Sequence, residues 1–389
     1  MALTRSVVSV SISGSVHGDE FDGAGRSQRE ITMTMDTYWA RVGALELEIE
    51  HADSERLSAP GGPGPGGERE RVTGLLALHG GEETGLGEDV GLIEPGDYDT
   101  FAELARSLPL AGRWTVASFA VHLRTLPLFA EPPRWDLMRN FRTWVFESAA
   151  LDLALRQAGT SLPALLGLTP RPVTYVNSLG LGDPPSFARV GGRLATYREL
   201  RFKVDASFLW DRALIEQLAA TGAVRTVDFK GQYGMEMGTP EQMLAMYTTT
   251  IECFPEALLE DPHDIAEVID LLQPHHARVS YDAPVTTAAA LDQTAIRCGA
   301  VNIKPSRIGG LEELFKVYAR CEADGLPMYG GGMGELGVAR GQIQLLASLF
   351  HPDTFNDVAP SAFNLPEPPP GIPASPLMPP QDISGFRWQ

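Results

Sequence analysis

The chain has 389 residues, 43% of them hydrophobic, and a formal net charge of −19 from 50 acidic and 31 basic side chains. Its length allows one barrel of about 250 residues plus a smaller domain, and its negative balance repels nucleic acid and anionic membrane surfaces, so an anionic substrate needs local cations to hold it. No run of about 18 apolar residues occurs, which excludes an apparent membrane span, and three scattered cysteines, Cys253, Cys298 and Cys321, suit a reducing cytoplasm better than a disulfide framework.

In chain order, residues 1–40 read as a polar extension. Val7–Ser13 alternates like a strand rather than forming a signal-peptide core. Ala44-Leu-Glu-Leu-Glu-Ile-Glu50 predicts a strand with one apolar face, and Val72–His79 a second. Between them, Ala59-Pro-Gly-Gly-Pro-Gly-Pro-Gly-Gly67 predicts a mobile loop, either a plain connector or a lid. Tyr98–Leu168 is mainly helical, with Trp144–Leu155 its strongest amphipathic run. These elements define an α+β domain over 41–170.

From Pro172 short apolar strands alternate with helical segments, as in repeated βα units. Strands end near Ser178, Asp205, Lys230, Asp261, Ala283, Lys304, Gly330 and Asp357, and eight of them predict a closed (β/α)8 barrel over 171–360. Leu311–Cys321 and Gly341–Phe350 carry helical apolar spacing and belong to its outer ring. The last segment, 361–389, is proline-rich from Pro366 to Pro380 and is expected to return over the surface towards the first domain.

Four of the strand ends carry charge: Thr226-Val-Asp228, Leu258-Leu-Glu260, Ser280-Tyr-Asp282 and Val301-Asn-Ile-Lys304. Their spacing of 32, 22 and 22 positions is about one strand–helix unit each, so consecutive parallel strands deliver three carboxylates and one ammonium to one rim. A single acid there reads as a helix cap. Three in succession read as an oxygen-only site for a hard divalent cation such as Mg²⁺, because zinc would call for histidine or cysteine. Lys304 reads as a base beside it, or as an ion-pair partner of one of the ligands.

With these segments in view, the chain resembles the enolase superfamily, in particular its muconate-lactonizing-enzyme and mandelate-racemase-like members, over roughly residues 44–360. Arg71-Val-Thr-Gly-Leu-Leu-Ala-Leu and Gly85-Leu-Gly-Glu-Asp89 are similar to the strands of the family's capping domain, and Phe146–Ala154 with Leu165-Leu-Gly167 to the helix leading into its barrel. The resemblance implies a modified (β/α)8 TIM barrel with an N-terminal α+β cap. It also implies Asp228, Glu260 and Asp282 as Mg²⁺ ligands, Lys304 in Asn302-Ile-Lys304-Pro-Ser-Arg-Ile-Gly-Gly310 as catalytic lysine, and a homo-oligomer. The implied chemistry is removal of the α-proton of a carboxylate through an enediolate, whose adjacent negative charges a divalent cation makes accessible.

Two departures bear on that chemistry. The family's Lys-x-Lys is Lys203-Val-Asp205 here, and alternation sends Lys203 and Asp205 to the same interior side. Asp205 is a far weaker base than a neutral lysine, so Lys304 is the only matched base. Asp228-Phe-Lys230 replaces the family's Asp-x-Asn; Lys230 then points inward to pair with Asp205, to bind a substrate anion, or to serve as a substitute acid/base. Lys203 is expected near the substrate carboxylate, and Gly330-Gly-Gly-Met-Gly-Glu335 places Glu335 at the rim, where it and Asn302 are expected at the substrate. The resulting expectation is Mg²⁺-dependent elimination or cycloisomerisation of a small carboxylate in the cytoplasm. The alternatives are a racemase or epimerase using Lys230, and an impaired relative that binds Mg²⁺ and a carboxylate without turnover.

Overall fold

In the computed structural model, which describes residues 34–64, 67–94, 96–234 and 238–388, helix α1 (Met35–Gly43) comes first. The strand expected at Val7–Ser13, and the expected extension as far as residue 33, lie outside the described residues. Helix α1 falls at the end of that stretch because Thr34 caps it, accepting from the Thr37 amide at 3.3 Å, and Met35, Tyr38 and Val42 share a buried face at helical spacing. Its Tyr38 and Trp39 rings lie 6.2 Å from Phe350 and Phe315 respectively.

Strands β1 (Glu46–Ile49), β2 (His51–Gly64), β3 (Gly67–Gly80) and β4 (Glu83–Asp89) follow, then α2 (Asp97–Ser107), β5 (Gly112–Thr115), α3 (Val116–Leu123), α4 (Leu137–Gln157) and α5 (Leu162–Leu166). β2–β3–β4 is an antiparallel meander, and β1 pairs separately with β5. Among its described residues the Pro/Gly stretch, expected as a mobile loop, is strand: β2 and β3 stay paired from His51↔His79 to Gly64↔Gly67, with a register shift between Pro60 and Pro63. Prolines survive there because β2 is the edge strand, where a missing N–H removes no second ladder, and the shift absorbs the irregularity.

Helix α4 is buried along most of its length, from Phe141 to Leu155. Strand β4 lies directly on it because Gly85 and Gly87 carry no side chain; a Cβ at either would come within 2.2 Å and 2.1 Å of the Ala149 and Val145 carbonyl oxygens.

The barrel strands are β6 (Asn177–Gly180), β7 (Phe202–Asp205), β8 (Val224–Asp228), β9 (Leu258–Glu260), β10 (Val279–Tyr281), β11 (Ala300–Ile303) and β12 (Met328–Gly330), parallel and in sequence order. Helices between them include α6 (Ala188–Thr196), α7 (Arg212–Ala220), α8 (Pro240–Cys253), α9 (Ala266–Leu272), the short α10 (Pro305–Ile308) and α11 (Leu311–Asp324); α12 (Val338–Phe350) follows β12. The eighth strand position is reduced to a pair of bridges. The Val176 amide donates to the Asn356 carbonyl at 2.8 Å, and the Asp357 amide to Gly330 at 2.7 Å, joining first strand to last. Asn356 Oδ1 reinforces this seam by accepting from Gly330 N and meeting the buried His351 ring at 2.6 Å each. The architecture is a modified (β/α)8 barrel with an α+β cap.

After the barrel, Leu377 pairs antiparallel with Val173, and the Phe386 amide and Arg387 side chain bond to Asp152 of α4 at 2.8 Å and 2.7 Å. The C-terminal segment thus runs from barrel to cap helix. Among the described residues no helix is long and apolar enough to cross a membrane.

Candidate metal and proton-transfer site

Strands β8, β9 and the end of β10 are neighbours, so Asp228, Glu260 and Asp282 rise side by side; Asp228 is directly registered with Glu260. All three are fully buried, and one carboxylate oxygen of each lies within 4.8 Å of the others. Three buried carboxylates without histidine or cysteine suit a hard divalent cation, since their mutual repulsion in a poorly solvated pocket demands compensating positive charge. The donor set therefore fits such an ion.

Lysines supply the compensation in this structure. Lys203, on β7, places Nζ 2.5 Å from Glu260 Oε1, 3.0 Å from Asp228 and 3.6 Å from Asp357. Lys230 contacts Asp228 and stands 3.2 Å from Asp205, so Asp205 does pair with Lys230. Its backbone is left-handed, with φ 55°, a costly conformation for a non-glycine residue that curls the side chain back over the strand end. Lys304, just beyond β11, contacts Asp282. A Cβ at Gly331 would lie 2.4 Å from Asn302 Oδ1 and 2.9 Å from Lys304 Cε, so this glycine makes room for the lysine.

Burial and these cations pull the carboxylates apart in acidity. Burial opposes ionisation of Asp282, yet Lys304, Arg307, Lys203 and Lys230 outweigh it and hold the group well below the usual carboxylate range. Asp228 is also lowered, against burial, by Lys203 and Lys230. For Glu260 burial prevails over Lys203 and, with its carboxylate neighbours, pushes the group up to about 7. Burial would lower Lys230, but Asp205, Asp228 and Asp282 raise it overall.

Of the groups that support the triad, Arg307, Tyr233, Tyr329 and Asp261 were not singled out in the sequence, whereas Asn302 and Glu335 were. Arg307, one helical turn after Lys304, sits 3.3 Å from Asp282 and donates at 2.9 Å to the Tyr233 hydroxyl, which donates to Asp282 at 3.1 Å. Tyr329 donates to Glu260 Oε2 at 2.8 Å. Asp261, at φ 46°, accepts from the Asp282 and Ala283 amides at 2.9 Å and 3.1 Å and so shapes the β10 end. Asn302 donates to Glu260 at 3.0 Å, and Glu335 accepts from the Met333 amide at 2.6 Å and pairs with Arg340 at 3.2 Å; both are buried. Asn302 and Glu335, expected at the substrate, thus each hold a neighbouring group in the structure, and each keeps one buried oxygen without a hydrogen-bond partner.

A cleft of about 570 Å³ lies between cap and barrel ends, lined by Leu57, Ser58 and Arg71 from the hairpin and Ser178, Arg340 and Asp357 from the barrel side. It adjoins the charged floor through Asp357, the partner of Lys203.

Comparison with known proteins agrees with this architecture. Residues 169–365 match the family described as "Domain of unknown function (DUF8230) C-terminal domain", and residues 40–165 its N-terminal counterpart. An N-succinylamino acid racemase from an Amycolatopsis species is 32% identical over 216 residues, 52% of this chain and 56% of that one. The chain spans little more than half the length of that relative. Among solved structures, a mandelate racemase/muconate lactonizing protein from Herpetosiphon aurantiacus superposes with a TM-score of 0.63 at 21% identity, over 80% of this chain and 89% of that chain. A dipeptide epimerase from Methylococcus capsulatus, complexed with Mg ion, gives 0.57 at 18% identity over 82% and 88%. The chain belongs to the DUF8230 family, and it shares the capped-barrel fold of these solved structures.

Proposed function

We propose that the protein removes the α-proton of a small carboxylate substrate, with Lys304 as the base and Asp228, Glu260 and Asp282 holding Mg²⁺. The bound cation supplies the positive charge that makes an enediolate accessible.

One observation carries the assignment of the base. Among the described residues, the carboxylate that Lys304 touches is Asp282, itself a proposed ligand, whereas Lys230 also has Asp205 and Lys203 also has Asp357. With the triad holding a cation, Lys230 and Lys203 would keep counterions of their own in Asp205 and Asp357, whereas Lys304 would keep none among the described residues. Lys203 then presents a fixed positive charge towards the substrate carboxylate. Asp205, tied to Lys230, offers no strong base on the opposite face, which favours elimination or cycloisomerisation over inversion.

A second reading, racemisation or epimerisation with Lys230 as the other acid/base, is favoured by the names of the racemase and epimerase relatives and by the contact of Lys230 with Asp228. It requires Lys230 to leave Asp205.

Exchange of the α-proton in D₂O, with Mg²⁺ and a panel of acid sugars, N-acylamino acids and dipeptides, tests both readings. Exchange with retention, or with loss of a β-substituent, supports Lys304 acting alone. Exchange with inversion supports the two-lysine reading, and absence of exchange across the panel leaves a binding protein.

A further inference from the structure

The antiparallel sheet of the cap gathers two histidines and an aspartate that the proposed chemistry does not use. His51 on β2 and His79 on β3 are direct cross-strand partners, and Asp53 follows His51 by two positions, so the period of the strand puts all three on one face. The two imidazole rings stack with centroids 4.4 Å apart and 13° between their planes, and His79 Nε2 lies 3.3 Å from Asp53 Oδ2. One donor atom from each of the three residues lies within 4.8 Å of the other two.

On the other flank of β3, Thr84 of β4 is the register partner of His79, and its hydroxyl meets His79 Nδ1 at 3.1 Å. A ring held through Nδ1 presents Nε2 to a ligand, and a contact of this kind is what fixes the orientation of a metal-bound histidine. That Nε2 is buried and has no hydrogen-bond partner among the described residues, although a carboxylate oxygen stands beside it. With Nδ1–H donating to Thr84, the nitrogen and the carboxylate turn lone pairs towards one point, and a shared cation relieves their repulsion.

Two nitrogens and one carboxylate oxygen suit Zn²⁺, in contrast to the oxygen-only triad of the barrel. Zinc takes such ligands at about 2.0–2.2 Å, and the closure this needs falls to His51 and Asp53, whose side chains are exposed.

We propose that His51, Asp53 and His79 form a second metal site, for Zn²⁺, with Thr84 orienting His79 and water completing the coordination. The site is independent of the proposed function. Its ion ties the first residue of the edge strand β2 to β3, and β2 runs on to Leu57 and Pro60 in the wall of the cleft.

The test is calorimetric titration with Zn²⁺ in excess Mg²⁺, joined to amide hydrogen exchange of residues 51–57. His79→Gln weakens one Zn²⁺ equivalent by about a hundredfold, and Thr84→Val weakens the same equivalent by about tenfold. His51→Gln, at an exposed position, acts like His79→Gln and serves where that variant fails to fold. Mg²⁺ affinity is the same in all of them. Zn²⁺ slows exchange in residues 51–57 of the unaltered protein and not of His51→Gln. Absence of Zn²⁺ binding, or Zn²⁺ affinity and stoichiometry unchanged in both histidine variants, overturns the site. Zn²⁺ binding lost in Asp282→Ala and kept in His51→Gln belongs to the triad and overturns it as well.

Discussion

The floor of the cleft and its far wall handle charge in opposite ways. On the floor every buried carboxylate of the triad touches at least one lysine, and two of the three lysines have a further acid in reserve. At the wall Arg71 donates to a single carbonyl, and the acids whose charge acts on it, Glu335 and Glu88, are bound to other groups. The floor is built from ends of adjacent parallel strands, where the two-residue period and common strand direction bring side chains together. The wall is assembled from a cap hairpin and a barrel helix that meet only in the folded protein. Strand ends fix the floor by local geometry, whereas the wall depends on how two elements far apart in the chain pack together.

The largest expected effect lies on the floor. Asp282→Ala removes a proposed ligand and the shared partner of Lys304 and Arg307; α-proton exchange should fall by about a thousandfold or more, and Mg²⁺ binding by calorimetry should weaken with it. Normal exchange in this variant would place the site elsewhere. Lys304→Ala should cost roughly a hundredfold or more in turnover with Mg²⁺ affinity nearly unchanged, the scale of losing a general base. Unchanged turnover would move the base to Lys230.

A smaller gain is expected from Asp205→Lys, which separates one-face from two-face chemistry. Freed from Asp205, Lys230 and the new lysine should raise exchange of the opposite enantiomer by about tenfold, less than a native base contributes because the ammonium groups crowd each other. No gain in that enantiomer would mean that the opposite face is closed by shape rather than by lack of a base.

The smallest effect concerns the seam that closes the barrel beside the floor. Burial pushes His351 down to about 4, against the help of its Asn356 contact, so the folded protein resists its protonation while the unfolded chain accepts a proton near 6.5. This contribution to stability is complete above pH 6.5 and is lost as pH falls from 6.5 towards 4. Denaturant unfolding should show a loss of about 2 kcal/mol between pH 7.5 and 5, absent in His351→Gln. An equal acid sensitivity in both proteins would assign it to other groups.

The comparison also separates what could be read in advance. Asp228, Glu260, Asp282 and Lys304 each end a short apolar run at unit spacing, so local pattern alone places them on one rim; alternation turned Lys230 inward but left open whether it pairs with Asp205. Asn302 and Glu335 sit in the right segments, but their hydrogen bonds point to Glu260 and to Arg340. Tyr233, Tyr329 and Asp261 look like ordinary loop or core residues until the fold turns them towards the triad. Composition hid the strand at 59–64, because a proline's cost depends on whether its strand has a neighbour on that side, and only the sheet order says that β2 does not.

Periodicity and strand-end chemistry, both short-range properties, were enough to predict a (β/α)8 barrel beside an α+β domain, with three carboxylates and a lysine on one rim. The tertiary structure decided which lysine keeps its own counterion, how Asn356 and Asp357 close the barrel without a full strand, and that Arg71 and Arg340 line one cleft. Those three outcomes join residues between 25 and 269 positions apart in the chain, and such contacts exist only once the chain has packed.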